Sequence, residues 1–352
     1  MRAGPAAAGT TPLIRFGLVG YGAWGRHHAE AITNTPGARL AAIACRTEAT
    51  AEAARRDFPG VPVHLDYRQL LARPDVDAVD IVVPNDLHAE IGVAALERGA
   101  DVLLEKPMAR TAEECDALIA AASRSGGILS IGHELRLSAQ WGRIKALIDE
   151  GEIGEPRYML FELFRFPYRG GAAGWRYERE RVGSWILEEP VHAFDFAFWF
   201  FERCGDPVSV LAIGNSGRND EGMCDNFTAT VRFSGGSYAV ISQTLAAFQY
   251  HQVVEVVGSE GAIRGWWSGA LDRTLAPSFA LGVKRRGRND PETIPIPRSG
   301  EVFELREQLV RTVAAFQARR PLVTGAEARK RVIACVEAER SLREGREISL
   351  RF

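Results

Sequence analysis

The 352-residue chain carries 43 Lys and Arg against 45 Asp and Glu, so its formal net charge is only -2. This length suits two domains, the near-neutral charge gives no reason to expect nucleic-acid binding, and no apolar stretch is long enough to span a membrane. Five scattered cysteines without a C-x-x-C pair favour a reducing, cytoplasmic compartment and predict no metal site.

The first half of the chain alternates strand patterns with helix patterns. Residues 1–12 are rich in Ala, Gly, Thr and Pro and are predicted to be a disordered tail. From residue 13 to residue 133 the alternation is typical of a doubly wound α/β domain with a parallel sheet and crossover helices. The predicted strands are Ile14–Val19, Leu40–Ala44, Ala78–Val83, Asp101–Leu104 and Ile128–Ile131, and the predicted helices are Ala23–Thr33, Thr47–Phe58, Leu87–Arg98 and Thr111–Ser125.

A G-x-G-x-x-G motif joins the first predicted strand to the first predicted helix. In such a motif Gly20 permits a tight turn, Gly22 lets backbone N–H groups approach a pyrophosphate, and Gly25 lets helix and strand pack closely. Ala23 and Trp24 open the helix, whose N-terminus stabilises an anion. In this context the motif predicts a dinucleotide-binding Rossmann domain over residues 13–133.

The residues after the second predicted strand bear on which nicotinamide dinucleotide binds. An acidic residue there would hydrogen-bond the ribose 2′-hydroxyl of NAD, but the chain has Arg46 and Thr47. Arg46 could pair with a 2′-phosphate, so NADP is favoured over NAD. Two alternatives remain, since Arg46 could be an ordinary surface residue and Glu48 could accept from the ribose.

A lysine follows the strand predicted at residues 101–104. Glu105, Lys106 and Pro107 lie at the strand end, where open α/β sheets bind ligands. Near a nicotinamide, the Lys106 ammonium would polarise a substrate oxygen and favour its alkoxide form. A lysine in a solvent-facing loop is the alternative.

Strand patterns dominate the second half of the chain. One predicted helix ends at Glu150, and consecutive strands without intervening helices then indicate an antiparallel sheet. Residues 134–352 are therefore predicted to be a substrate-binding and oligomerisation α/β domain with a large open, mostly antiparallel sheet. Its predicted strands are Arg157–Phe166, Val208–Ile213, Asn226–Phe233, Ser237–Leu245, Val253–Val257 and Ala262–Trp267, and its last predicted helices are Phe303–Ala318 and Ala326–Glu344.

An isolated polar pair lies in the apolar segment between residues 185 and 199. Pro190 suits the start of a helix, which places His192 and Asp195 three residues apart on one face. A histidine beside aromatic residues is usually a core residue. With a carboxylate to orient it and the strand-end Lys106 available, His192 becomes a candidate general acid/base.

These motifs together resemble the glucose-fructose oxidoreductase/inositol dehydrogenase/rhizopine catabolism (Gfo/Idh/MocA) family over nearly the whole chain. The order and spacing of the motifs make the resemblance specific. The segments that carry it are Gly20–Gly25, Val83–His88, Glu105–Pro107, Gly151–Gly154, Trp175–Arg176, Glu188–Asp195, and Ser341 with Gly345–Arg346.

The resemblance implies a role for each candidate residue. Lys106 would contact the reacting oxygen, His192 would act as general acid/base, and Asp195 would bind substrate or orient His192. Arg136 would line the substrate site. The contacts implied on the nicotinamide side of the cofactor come from Pro84, Asn85, His88, Glu105 and Lys106. The resemblance also implies a homodimer or homotetramer formed through the second-domain sheet.

The chain departs from the family pattern beside the candidate histidine. Where the family usually has Asp-x-Gly-x-His, this chain has Glu188 and Pro190 in place of Asp and Gly. Glu188 keeps a carboxylate on a longer side chain, whereas proline fixes φ where glycine is permissive. Four upstream residues could stack on a sugar ring and bind its hydroxyl or carboxylate groups, or could simply pack in strands and loops: Arg165, Tyr168, Trp175 and Arg176.

We therefore expect an NAD(P)-dependent oxidoreductase that moves a hydride between the nicotinamide and a carbinol or ketone carbon. Its expected substrate is a sugar, a cyclitol such as an inositol or aminocyclitol, or a related polyol. One alternative is a non-catalytic NAD(P)-binding sensor or regulatory protein. A second is a redox-neutral sugar enzyme that retains its cofactor.

Overall fold

The computed structural model describes residues 13–216 and 222–352, so the tail predicted for residues 1–12 lies outside the described residues. The strands of its first sheet are β1 (Ile14–Val19), β2 (Ala38–Ala44), β3 (Val63–His64), β4 (Ala78–Ile81), β5 (Asp101–Glu105) and β6 (Leu129–Gly132). They are ordered β3-β2-β1-β4-β5-β6, and every neighbouring pair is parallel. The predicted Rossmann sheet is confirmed.

The helices of the first half lie between these strands. They are α1 (Ala23–Thr33), α2 (Glu48–Asp57), α3 (Tyr67–Leu71), α4 (His88–Glu97) and α5 (Ala112–Ser125). All predicted elements of this half are present, with ends displaced by at most two residues. The sequence did not predict β3 or α3, because such short elements cannot show a periodic pattern.

Among the described residues the second sheet has nine strands, and it is open and mostly antiparallel, as predicted. Its strands are β7 (Pro156–Phe164), β8 (Pro207–Asn215), β9 (Asn226–Phe233), β10 (Tyr238–Thr244), β11 (Tyr250–Gly258), β12 (Gly261–Gly269), β13 (Ser278–Arg285), β14 (Glu292–Thr293) and β15 (Ile348–Ser349). Their order is β14-β13-β12-β11-β7-β10-β9-β8-β15, and only the β7–β10 pair among these described strands is parallel.

The helices of the second half lie mainly against one face of this sheet and against the first domain. They are α6 (Trp141–Asp149), α7 (Arg179–Val182), α8 (Trp185–Glu188), α9 (Val191–Phe200), α10 (Glu301–Gln317) and α11 (Gly325–Glu344). Pro190 is the N-cap of α9 and has φ −62°. Proline favours this angle, so its replacement of the family glycine introduces no backbone strain.

The C-terminal part of the chain completes the first domain. On α10, Phe316 stacks on Phe16 of β1 with ring centroids 6.4 Å apart, and Leu309 and Val313 join the same core. Further along, the Ile131 N–H of β6 donates to the carbonyl of residue 323 over 3.1 Å. The two domains therefore share apolar packing and sheet-edge hydrogen bonds.

The second sheet turns its other face outward. Tyr158 and Tyr238 meet edge to face on it with centroids 5.2 Å apart, and Tyr238 and Phe164 are exposed. This face carries aromatic side chains on neighbouring strands. Separately, the described residues contain no helix with the length and apolarity that crossing a membrane requires.

Candidate active site

A cleft of about 630 Å³ lies at the carboxyl ends of the first sheet's strands, and the second domain forms its opposite wall. Residues that follow β1, β2, β4, β5 and β6 line the first wall. The predicted site residues that line the cleft are Gly20, Gly22, Ala23, Trp24, Gly25, Arg46, Thr47, Pro84, Asn85, Glu105, Lys106, Arg165, Tyr168, Trp175, Arg176, Glu188 and His192. His88, Arg136 and Asp195 lie behind this lining.

The glycine loop has the shape that a dinucleotide requires. Gly20 has φ +104°, and a Cβ there would lie 2.0 Å from the Val82 carbonyl oxygen. A Cβ on Gly25 would lie 2.1 Å from the Gly20 carbonyl oxygen, whereas among the described residues nothing lies within 4 Å of a Cβ on Gly22. Gly22 is the N-cap of α1. No side chain of the described residues caps this helix, so the first backbone N–H groups of α1 face open space. The loop therefore fits a pyrophosphate.

The rim of the cleft beyond β2 carries the residues predicted to read the ribose. Arg46 is exposed there, and the Thr47 hydroxyl accepts from the Thr50 N–H, which caps α2. The alternative ribose acceptor, Glu48, is bound by Arg55 at 2.5 Å. A cation is therefore exposed at this rim while the nearby carboxylate is neutralised.

A buried histidine that no sequence motif indicates lies beneath the glycine loop. His28 of α1 contacts Asp80 of β4 at 2.7 Å and Glu105 of β5 at 3.2 Å, and it is fully buried. Although burial opposes it, Asp80 and Glu105 raise the pKa of His28 to about 10. The cation in turn lowers the pKa of Glu105, which lines the cleft, against the opposing effect of burial.

Lys106 reaches across the cleft to the second domain. Its Nζ donates to the Glu188 carbonyl over 3.1 Å and lies 3.7 Å from the Glu189 carboxylate. Although burial opposes it, Glu189 and Glu188 raise the pKa of Lys106. The ammonium stays charged at neutral pH, so it can donate a hydrogen bond to a substrate oxygen but cannot act as a base.

His192 enters the cleft from the first turn of α9. Burial, followed by Lys106 and His133, lowers its pKa well below the ordinary value, so the imidazole is neutral and can accept a proton. The ring of His133 lies edge to face with it at 5.9 Å. The Nε2 atom of His192 is 3.8 Å from Oε1 of Glu134, a cleft residue that no sequence motif indicates.

Asp195 and Arg136 face each other behind His192. Two hydrogen bonds of 2.7 and 2.6 Å join them, and Arg331 of α11 donates a third to Asp195 over 2.8 Å. Although burial opposes it, Arg136 and then His133 and Arg331 hold the pKa of Asp195 well below its ordinary value. The structure thus gives Asp195 two arginine partners, and its carboxylate lies away from the cleft surface.

The second-domain wall consists of paired charges with aromatic faces beside them. Arg165 lies 3.1 Å from Glu189 and over the ring of Tyr168 at 4.2 Å. Arg176 donates to Glu188 over 2.6 Å, and its guanidinium lies 4.5 Å from the centre of the Trp175 ring. Both carboxylates are therefore neutralised by the protein's own cations.

Two residues predicted on the nicotinamide side mainly hold loops in place. The amide of Asn85 lines the cleft and donates to the Val182 carbonyl over 3.0 Å and to Glu188 over 3.2 Å. The buried ring of His88 contacts the carbonyls of Pro107 at 2.7 Å and Val83 at 3.0 Å. Asn85 fixes the carboxylate wall, and His88 ties the two loops that follow β4 and β5.

Two further cleft residues come from distant parts of the chain. The Arg273 guanidinium lies 4.5 Å from the centre of the Trp24 ring on the glycine loop and 3.5 Å from Glu301 of α10. Burial and then Glu189 raise the pKa of Glu301 to about 8. No sequence motif marks either residue, because each acquires its neighbours only through the fold.

Known proteins resemble both halves of the chain. Residues 14–133 match the GFO_IDH_MocA model, described as an oxidoreductase family with an NAD-binding Rossmann fold, and residues 141–264 match the GFO/IDH/MocA C-terminal domain. The 1,5-anhydro-D-fructose reductase of Ensifer adhaerens is 33% identical over 257 residues, which cover 72% of this chain and 76% of that protein. Inositol 2-dehydrogenase of Rhizobium meliloti is 30% identical over 255 residues, covering 71% and 74%.

Solved structures share the fold over almost the whole chain. An oxidoreductase domain protein from Kribbella flavida superposes with a TM-score of 0.84 at 22% identity, covering 97% of this chain and 100% of that one. A levoglucosan dehydrogenase in complex with NADH and levoglucosan superposes with a TM-score of 0.80 at 22% identity, covering 96% and 100%.

Proposed function

The chain belongs to the Gfo/Idh/MocA oxidoreductase family and is an NAD(P)-dependent dehydrogenase or reductase acting on CH–OH groups, and we propose that its substrate is a sugar or cyclitol ring and its cofactor NADP. One observation carries the proposal. A charged Lys106 and a neutral His192 both line the cleft at the carboxyl ends of the first sheet.

The substrate hydroxyl lies between these two side chains. The bound nicotinamide supplies C4 as the hydride acceptor or donor. Lys106 donates to the substrate oxygen and stabilises its developing negative charge, while His192 accepts the hydroxyl proton during oxidation and returns it during reduction. The buried pair of Asp195 and Arg136 has a positioning role, because it fixes the α9 face that carries His192.

The second-domain wall binds the ring of the substrate. Arg165 and Arg176, which lie over the rings of Tyr168 and Trp175, donate to the hydroxyl groups of the sugar or cyclitol. Both guanidiniums are already oriented by Glu189 and Glu188. Relatives whose names include an anhydro-sugar reductase and an inositol dehydrogenase support this substrate class.

The exposed Arg46, beside a Glu48 already engaged by Arg55, supports binding of the NADP 2′-phosphate. The aromatic outer face of the second sheet supports a homodimer or homotetramer formed through that face. The five cysteines are all free thiols, which supports a reducing cytoplasmic compartment.

The first experiment titrates the purified protein with NADPH and NADH by fluorescence, and then measures turnover on a panel of inositols, anhydro-sugars and aldoses. We expect tighter binding of NADPH, with the preference lost in Arg46→Ala but kept in the matched rim variant Arg68→Ala. Binding of neither dinucleotide would refute the proposal. Turnover without added cofactor, together with nicotinamide absorbance in the purified protein, would replace it with a redox-neutral reaction.

A further inference from the structure

Glu134 is a buried carboxyl group at the reacting end of the cleft. It begins the 3-10 turn Glu134–Leu137 directly after β6, is 3% exposed, and lines the cleft. Its Oε1 lies 3.8 Å from Nε2 of His192, and its Oε2 is buried without a hydrogen-bond partner among the described residues. A buried carboxyl oxygen without a partner is costly unless it has a functional use.

Charged and titratable groups surround Glu134 on several elements. Glu105 and Lys106 face it from the end of β5, His192 from α9 and Glu301 from α10, while the adjacent His133 leads to Asp195 behind it. Burial and then Glu105 raise the pKa of Glu134 well above its ordinary value. The pKa of His192 is lowered, so at neutral pH the proton of this pair resides on the carboxyl group.

We propose that Glu134 and His192 form a proton-sharing pair, in which Glu134 accepts a proton from His192 after oxidation and supplies one to His192 for reduction. This inference rests on the proposed function. The separation of 3.8 Å exceeds a hydrogen bond, as catalytic hydrogen bonds commonly do before substrate binds.

In oxidation, one hydride and one proton leave the substrate. The C–H bond of the carbinol breaks, and its electron pair leaves with the hydrogen as hydride to the nicotinamide. The hydroxyl proton passes to Nε2 of His192 while the C=O bond forms, and His192 then passes that proton to the Glu134 carboxylate. This last transfer removes a second buried cation from beside Lys106, which lowers the electrostatic cost of the product state.

Reduction runs the same transfers in reverse, so the two directions need opposite forms of Glu134. Oxidation needs the carboxylate and becomes faster as the pH rises. Reduction needs the carboxylic acid and becomes slower as the pH rises. Both pH dependences therefore report one shared apparent pKa, which lies above the ordinary range of a glutamate.

The test compares Glu134→Gln with Glu304→Gln, a matched control. Glu304 is also a buried glutamate with a raised pKa, but it accepts from the Gly300 N–H and does not contact His192. We expect Glu134→Gln to lower kcat about 10²-fold with little change in KM, and to remove the shared pKa from both pH profiles. The control keeps both profiles. Retention of the shared pKa in Glu134→Gln would overturn the proposal.

A double variant tests whether Glu134 acts through His192. If it does, adding Glu134→Gln to His192→Asn produces no further loss of kcat, whereas independent roles would give multiplied losses. Additive losses in free energy would overturn the pairing.

A measurement without substrate separates this inference from the proposed function. In the infrared spectrum, the resting protein at neutral pH should show a protonated-carboxyl band that Glu134→Gln removes and that titrates above the ordinary glutamate range. The band without turnover on any polyol would support the pair and refute the proposed reaction. Turnover without the band would support the reaction and overturn the pair.

Discussion

Two of the buried histidines, His28 beneath the glycine loop and His192 in the cleft, lie beside carboxyl groups and have opposite protonation states. His28 faces two carboxylates, Asp80 and Glu105, which raise its pKa to about 10. His192 faces Lys106, and burial together with this cation lowers its pKa well below the ordinary value. Burial alone therefore does not decide the charge of a histidine here. The neighbouring charges decide it, and they leave the ring of His192 neutral and able to accept a proton.

The largest effect should follow from removing the cleft histidine. His192→Ala should lower kcat by about 10²–10⁴-fold, because the substrate proton then has no positioned acceptor. Lys106→Ala should cause a loss of similar size through the missing charge on the substrate oxygen. Steady-state rates, together with NADPH titration by fluorescence, check both variants. A loss of cofactor affinity as large as the loss of kcat would contradict these roles.

Removing the other histidine should affect stability before chemistry. His28→Leu leaves Asp80 and Glu105 buried without their cation, and we expect it to lower the free energy of unfolding by about 3–5 kcal/mol. The half-exposed His27 offers a control, and His27→Gln should change this free energy by less than about 0.5 kcal/mol. Urea denaturation measures both variants. Equal effects would contradict the role of the His28 cation in stabilising the two buried carboxylates.

The loss of unfolding free energy in His28→Leu should depend on pH. The folded-state pKa of His28 is raised from 6.5 to about 10, so its stabilisation is fully present below pH 6.5 and is lost as the pH rises through 10. The difference in unfolding free energy between the wild type and His28→Leu should therefore become smaller in alkaline buffer. A deficit that widens there would mean that the ring is neutral in the folded protein.

A smaller effect tests on a carboxyl group whether neighbouring charges, and not burial alone, decide the protonation state. Glu105, beside the His28 cation, has a lowered pKa, whereas burial raises that of Glu304 from 4.5 to about 7. The stabilisation that the protonated Glu304 contributes to the wild-type protein is therefore lost as the pH rises from 4.5 to 7. Glu304→Gln should remove this loss and stabilise the protein by at most about 3 kcal/mol at pH 8, with no gain near pH 4. Thermal unfolding at both pH values checks the prediction.

The features predictable from sequence are those written into short stretches of chain. The glycine loop, Lys106 after its strand and His192 on its helix each follow from local patterns, and so do most strands and helices. His28 could not be found in this way, because its partners Asp80 and Glu105 come from two other strands. Its one local sign is a position on α1 shortly after the glycine motif.

Glu134 and Asp195 are two further residues whose contacts depend on the tertiary fold. A glutamate in the run Gly132–Leu137 has the pattern of an exposed polar residue, and only the fold places it against His192. Asp195 was expected to bind substrate or to orient His192. Its hydrogen bonds to Arg136 and to Arg331 of α11, which is distant in sequence, are contacts that no local pattern indicates. Sequence patterns indicate which residues can react, whereas tertiary contacts decide their charge.

The helix α10 also determines when the protein can fold during its synthesis. Phe16 finds its stacking partner Phe316 only after most of the chain has left the ribosome, and the edge of β6 gains its hydrogen bond from residue 323 later still. The apolar face of the nascent first domain therefore stays uncovered while the second domain is translated. Its cofactor-binding half, although made first, is among the last parts of the molecule to be completed.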